Sequence, residues 1–234
     1  MTSTNLFFAL SGGILPALLW LWFWLKEDRL RPEPRRLIIL TFLAGMAVVA
    51  FALLSEQAVF FVFKKANLTT ALDGFLLLFV WAAIEETAKY LAAQKTALNK
   101  KEFDEPVDAL IYLITAALGF AALENVIFLI SVINDYGLMA GLITGNLRFA
   151  GATLLHILSS SAIGGAIAFS FFRPKKYLRN IFLGIITAIL LHTVFNYFII
   201  KSSGENIFQV FLPLWILIII LLLVFERIKK IKNK

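Results

Sequence analysis

Seven long apolar runs separated by basic stretches constrain this chain more than any other feature. They lie at roughly 6–25, 37–63, 74–93, 107–133, 147–172, 179–200 and 207–225. A helix crosses a bilayer with about 20 apolar residues and satisfies its own backbone there. The spacing therefore predicts an all-α, polytopic transmembrane bundle of about seven spans, one domain over 1–234. Composition agrees: 60% of residues are hydrophobic and 16% charged. Soluble domains sit near 45–50% and about 25%. A soluble globular enzyme and a disordered chain are both excluded. No basic segment precedes the first run, so it reads as a span rather than a secretory leader.

The basic residues alternate with the spans. Lys26, Arg29, Arg31, Arg35 and Arg36 follow span one, and Lys95, Lys100 and Lys101 follow span three. Arg173, Lys175, Lys176 and Arg179 follow span five, and Arg227, Lys229, Lys230, Lys232 and Lys234 follow span seven. The other set of loops holds Lys64, Lys65 and Lys201. The positive-inside rule then predicts an external N-terminus and a cytoplasmic C-terminus in a multi-pass cell-membrane protein. The net charge of +7 follows from this bias and does not call for nucleic acid.

Charges inside the spans carry the chemistry. Each costs at least about 2.5–3.5 kcal/mol at mid-bilayer. Span three reads Trp81-Ala-Ala-Ile-Glu85-Glu86-Thr-Ala-Lys89. Glu85 and Lys89 are four apart and share a face, so a self-neutralising ion pair explains one glutamate. Glu86 points about 100° away and needs a second partner. Two crowded carboxylates in a dry setting suit acid–base work. Span four carries Asp108, Gly119, Glu124 and Asn125. Asp108 follows Pro106 and reads as a helix-start residue. Glu124 reads equally well as a partner for Arg148 or Lys89 and as a direct participant, and Gly119 as a point of close helix approach.

Span five holds Arg148 and His156 on one predicted face, with Arg148 reading as a rim residue and Ser159, Ser160, Ser161, Gly164 and Gly165 as a packing face. Span six holds His192 and Asn196, one turn apart, able to donate to one oxyanion or to clasp neighbouring helices. Counted from their outer ends, Glu85, Glu124, His156 and His192 all lie at depths of roughly 10–20 Å. Such similar depths on four counter-running helices point to a shared, water-accessible cavity.

No Gly-x-Ser-x-Gly elbow, Gly-x-Gly-Asp motif or His-Glu-x-x-His helix is present, and the chain has no cysteine. Thiol nucleophiles and thiolate metal sites are thereby excluded. Carboxylates, histidines and an asparagine remain, and these can activate water directly. No cofactor is expected. A divalent metal stays open, with His156, His192 and Glu85 as its ligands.

At these residues the sequence resembles the PrsW family of bacterial membrane proteases, within the wider CAAX prenyl endopeptidase and Abi superfamily. The resemblance begins at Asp28-Arg29 and Arg31-Pro32-Glu33-Pro34. It continues through Glu85-Glu86-x-x-Lys89, Asp108 and Gly119-Phe120-Ala121-x-x-Glu124-Asn125. It ends with Arg148, His156 and His192-x-x-x-Asn196. It implies an intramembrane endopeptidase of glutamic type, favoured over a metallo type, with Glu85, Glu86, His156, His192 and Asn196 as catalytic residues. Glu85 would activate water, and His192 with Asn196 would hold the oxyanion. Lys89, Glu124, Asn125 and Arg148 would support them. Glu124 replaces a histidine of the prenyl endopeptidases, so prenylated substrates are not expected. The implied substrate is a membrane-anchored protein, an anti-sigma factor being the family's precedent. Two other classes compete: a proton-coupled transporter, and a non-catalytic scaffold resembling the scaffold subunit of the gamma-secretase complex.

Overall fold

A computed structural model of the chain describes residues 2–27, 31–68, 70–202 and 207–232. Asp28 and Arg29, where the resemblance begins, and Lys234 of the basic tail lie outside the described residues. The rest is helical, with no strand among the described residues: α1 (Ser3–Glu27), α2 (Arg35–Lys65), α3 (Ala71–Ala93), α4 (Asp108–Tyr136), α5 (Leu138–Ala150), α6 (Ala152–Ser170), α7 (Pro174–Ser202) and α8 (Ile207–Ile228). A single π-helical turn, Gln94–Leu98, extends α3.

Six segments are long and apolar enough to cross a membrane: α1, α2, α4, α5 with α6, α7 and α8. Helix α3 is 23 residues long but carries Asp73, Glu85, Glu86 and Lys89. Its start is well specified. Thr70 accepts from the Asp73 N–H at 3.2 Å, and the Asp73 carboxylate accepts from the Thr70 N–H at 2.8 Å. Helix α7 begins on Pro174, where a missing N–H costs nothing.

Helix α4 is the centre of the bundle. Asp108 through Ala122 are all buried, between α1, α2, α5 and α6. Backbones meet closely at two glycines. A Cβ on Gly119 would strike the Phe42 carbonyl, and one on Gly45 would strike that of Ala116. This is the close approach expected of Gly119.

Span five differs from expectation. It is two helices, broken at Gly151, and it starts at Leu138, earlier than the sequence suggested. The break has a packing cause: a Cβ on Gly151 would collide with the Phe211 ring of α8. The carbonyl of Ala150 accepts from Trp215 Nε1 at 2.9 Å. At the α4–α5 turn Gly137 has φ +85°, a conformation that favours glycine.

The basic loops gather at one end of the bundle. Arg31 pairs with Glu105, Tyr112 donates to Glu33, and Lys229 reaches Glu27 at 3.4 Å. Asp108 accepts from the N–H groups of Asp104 and Glu105 at 3.0 and 2.8 Å. It starts α4, as expected, and also fixes the preceding loop.

Candidate active site

Four helices bring their intramembrane polar residues into one cluster. Helix α3 supplies Glu85, Glu86 and Lys89, α4 supplies Glu124, α6 supplies His156 and α7 supplies His192. Glu85, Glu86, Lys89, His156 and His192 are buried.

The two adjacent glutamates differ sharply. Glu86 is saturated. Its Oε1 accepts from Lys89 Nζ at 2.6 Å, His192 Nδ1 at 2.7 Å and Ser159 Oγ at 2.8 Å. Its Oε2 accepts from Ser160 Oγ at 3.1 Å. Glu85 has the opposite environment. Its Oε2 is buried and has no hydrogen-bond partner. Lys89 Nζ lies 3.6 Å away, His192 Nε2 3.8 Å and His156 Nδ1 3.9 Å. A buried acceptor left open is rare and costs free energy. It therefore marks the oxygen where an added donor, or a cation, is best accommodated.

Lys89 thus lies closer to Glu86, three residues away, than to Glu85, the partner its spacing suggested. Its ammonium also sits 2.9 Å from His156 Nδ1 and 4.8 Å from the centre of the Phe120 ring. These contacts set the imidazole roles. An ammonium only donates, so His156 Nδ1 accepts and its Nε2–H donates to Glu124 Oε2 at 3.0 Å. A carboxylate only accepts, so His192 donates Nδ1–H to Glu86 and turns Nε2 toward Glu85.

Glu124 takes the first of the two roles read from sequence. It pairs with Arg148 Nη2 at 2.5 Å, and Arg148 Nε donates to Asn125. Asn125 in turn donates to Thr153 Oγ1 at 3.1 Å. Arg148 is therefore held inward and is not a rim residue. It also lies on α5 while His156 lies on α6, so the shared helix face inferred from their spacing does not exist. Glu124 brings them together instead. Asn196 is half-buried on α7, one turn past His192, with no hydrogen bond among the described residues.

From sequence, two features are assigned no part in the site. Ser159 and Ser160 read as small packing residues but donate to Glu86. Glu56 of α2 lies within electrostatic reach of Glu85 and Glu124, and its backbone carbonyl accepts from Trp81 Nε1 at 3.3 Å. An acidic residue within an apolar span was its only sequence signal.

Glu85, His156 and His192 each present a ligand atom within 4.8 Å of the others. Two imidazoles and one carboxylate form a known catalytic zinc set with a fourth position left for water. The unpartnered Glu85 oxygen suits such a cation, so the donor set fits one. The Lys89 ammonium beside the same atoms would share the space.

A family model described as PrsW family intramembrane metalloprotease matches residues 33–224. Proteins named Protease PrsW are similar over most of the chain. The one from Clostridioides difficile is 28% identical over 79% of this chain and 76% of its own length. The Oceanobacillus iheyensis protein is 29% identical, covering 89% and 91%. The Bacillus subtilis protein is 24% identical, covering 85% and 86%. No solved structure matches.

Proposed function

The chain belongs to the PrsW family of intramembrane proteases, and from that premise we propose that Glu85 activates the water that cleaves a membrane-anchored protein. One observation carries the assignment: of the two adjacent glutamates, Glu85 alone keeps a buried oxygen with no hydrogen-bond partner. Glu86 is committed to four donors and positions His192.

The separation of 3.8 Å between Glu85 Oε2 and His192 Nε2 suits a water that donates one hydrogen to each. Its oxygen lone pairs then face the scissile carbonyl. As the water attacks, Glu85 takes its proton. Asn196, one turn along α7, donates to the developing oxyanion. Glu85 then returns the proton to the leaving amine. His156 is held between Lys89 and Glu124 and forms the far wall of the site. A divalent metal bound by Glu85, His156 and His192 would add an activated water and a Lewis acid for the carbonyl. The basic end of the bundle faces the cytoplasm, which places the N-terminus outside. The substrate is a single-span or otherwise anchored protein, an anti-sigma factor being the class to try first.

The test is proteolysis by purified protein in detergent. Wild type and Glu85→Gln are compared on a panel of single-span proteins that includes anti-sigma factors, with and without chelator. Cleavage by wild type alone, unaffected by chelator, is expected. Full activity of Glu85→Gln overturns the assignment, and loss of activity with chelator moves the same residues to metal chemistry.

A further inference from the structure

A cavity lined by basic residues lies far from the glutamates, at the basic end of the bundle. It measures about 530 Å³ and sits among the end of α6, the turn into α7 and the end of α8. Arg173, Arg227, Lys230 and Lys232 line it, with Phe169 and Phe172 on its apolar side. None of the four cations has an ion-pair partner among the described residues. Their neighbour Lys229 is different: it is paired with Glu226 at 2.6 Å and reaches Glu27 at 3.4 Å. Carboxylates are thus available at this end, yet none of the described ones lines the pocket.

Like charges around one cavity repel one another unless an anion sits between them. A further observation indicates which anion. Phe169 and Phe172 are 43% and 39% exposed, where the helices leave the bilayer. Aromatic side chains at that level pack against lipid. The pocket therefore joins a cationic upper part to an apolar wall continuous with the membrane. A soluble phosphate would use only the first of these.

We propose that this pocket binds the headgroup phosphate of an anionic phospholipid, whose acyl chains lie along Phe169 and Phe172. Basic pockets between helices on the cytoplasmic side bind such headgroups. Bound lipid would tie the end of α8 to the α6–α7 turn. Helix α6 carries His156, Ser159 and Ser160, so the lipid would steady one wall of the site.

The test uses full-length protein stripped of lipid in a neutral detergent. Short-chain phosphatidylglycerol, phosphatidylcholine of the same chain length and inorganic phosphate are titrated separately. Binding is read by native mass spectrometry and by the shift in melting temperature. Phosphatidylglycerol is expected to bind at least tenfold more tightly than phosphatidylcholine, with a melting shift that phosphate does not reproduce. Arg173→Gln/Arg227→Gln/Lys230→Gln/Lys232→Gln should lose that preference. Arg35→Gln/Arg36→Gln/Lys100→Gln/Lys101→Gln, with four charges removed elsewhere at the same end, should keep it. Equal affinity for the two lipids overturns the proposal, as does an equal loss in both variants. An equal shift with phosphate also overturns it, by making the pocket a free-anion site. Where the fourfold variant does not fold, Arg173→Gln/Arg227→Gln alone should still weaken the preference, and equal affinity of the wild type for the two lipids overturns the proposal by itself.

Discussion

Glu85 and Glu86 are adjacent in sequence, yet their surroundings give them opposite duties. A carboxylate with four donors is fixed in place and is a poor proton acceptor, whereas one with a free oxygen can take a proton without breaking a bond. Glu85→Gln should therefore lower kcat by about 10²–10⁴-fold in the detergent assay while leaving the melting temperature near wild type. Ser159→Ala/Ser160→Ala should behave differently. Hydrogen bonds to charged groups are worth about 1.5–3 kcal/mol each. Their loss lets Glu86 and His192 drift, which should cost about ten- to a hundredfold in kcat with KM unchanged. Wild-type kcat in that double variant would show that the serines only fill space. Asn196→Ala, which removes one proposed oxyanion donor, should cost about 10²–10³ in kcat. The intramembrane charges were legible in the sequence because each is expensive in lipid and stands out against its span. The serines were not, because a small residue on an apolar helix has the same pattern whether it packs or donates. The partner that decides lies 73 residues away for Ser159.

At the scale of the helix, Gly164 and Gly165 of α6 show how little of the packing can be read from residue type. Both looked like a close-approach face. A Cβ on Gly164 would meet the Ala109 carbonyl at 2.9 Å and Leu110 Cα at 3.0 Å. A Cβ on Gly165 would meet nothing within 4 Å. Gly164→Ala should therefore destabilise by about 1–3 kcal/mol, because α4 must move away. Gly165→Ala should stabilise by about 0.4–1 kcal/mol, because it removes chain entropy at no steric cost. Unfolding followed by circular dichroism in mixed micelles reads both, and equal effects of the two changes would refute the packing contrast. The break at Gly151 was hidden for a similar reason. The run from 147 to 172 reads as one span by its length and mean hydropathy, and the ring that demands the glycine, Phe211, belongs to another helix. Hydropathy reports whether a segment enters the membrane and is blind to what it meets there.

For the whole molecule, the segment pattern was the most legible feature, because lipid imposes length and composition on every crossing. The sequence reads α3 as a seventh crossing, but α3 is not among the six segments apolar enough to cross, because Glu85, Glu86 and Lys89 interrupt its apolar run; all three are buried inside the bundle. The structure also places the basic loops together at one end, but a bundle has no intrinsic inside or outside. Sidedness follows from the charge bias and is open to a direct check. The chain has no cysteine, so single substitutions give an unambiguous label. Lys65→Cys and Ser202→Cys, at the end opposite the basic loops, should react with an impermeant maleimide in intact cells. Lys100→Cys and Lys176→Cys should react only after permeabilisation. The reverse pattern would turn the molecule over and place the anionic-lipid pocket in the outer leaflet. Equal labelling of Lys65→Cys and Lys100→Cys would mean that α3 with its π-helical turn does not cross, and the alternation on which the orientation rests would fail with it.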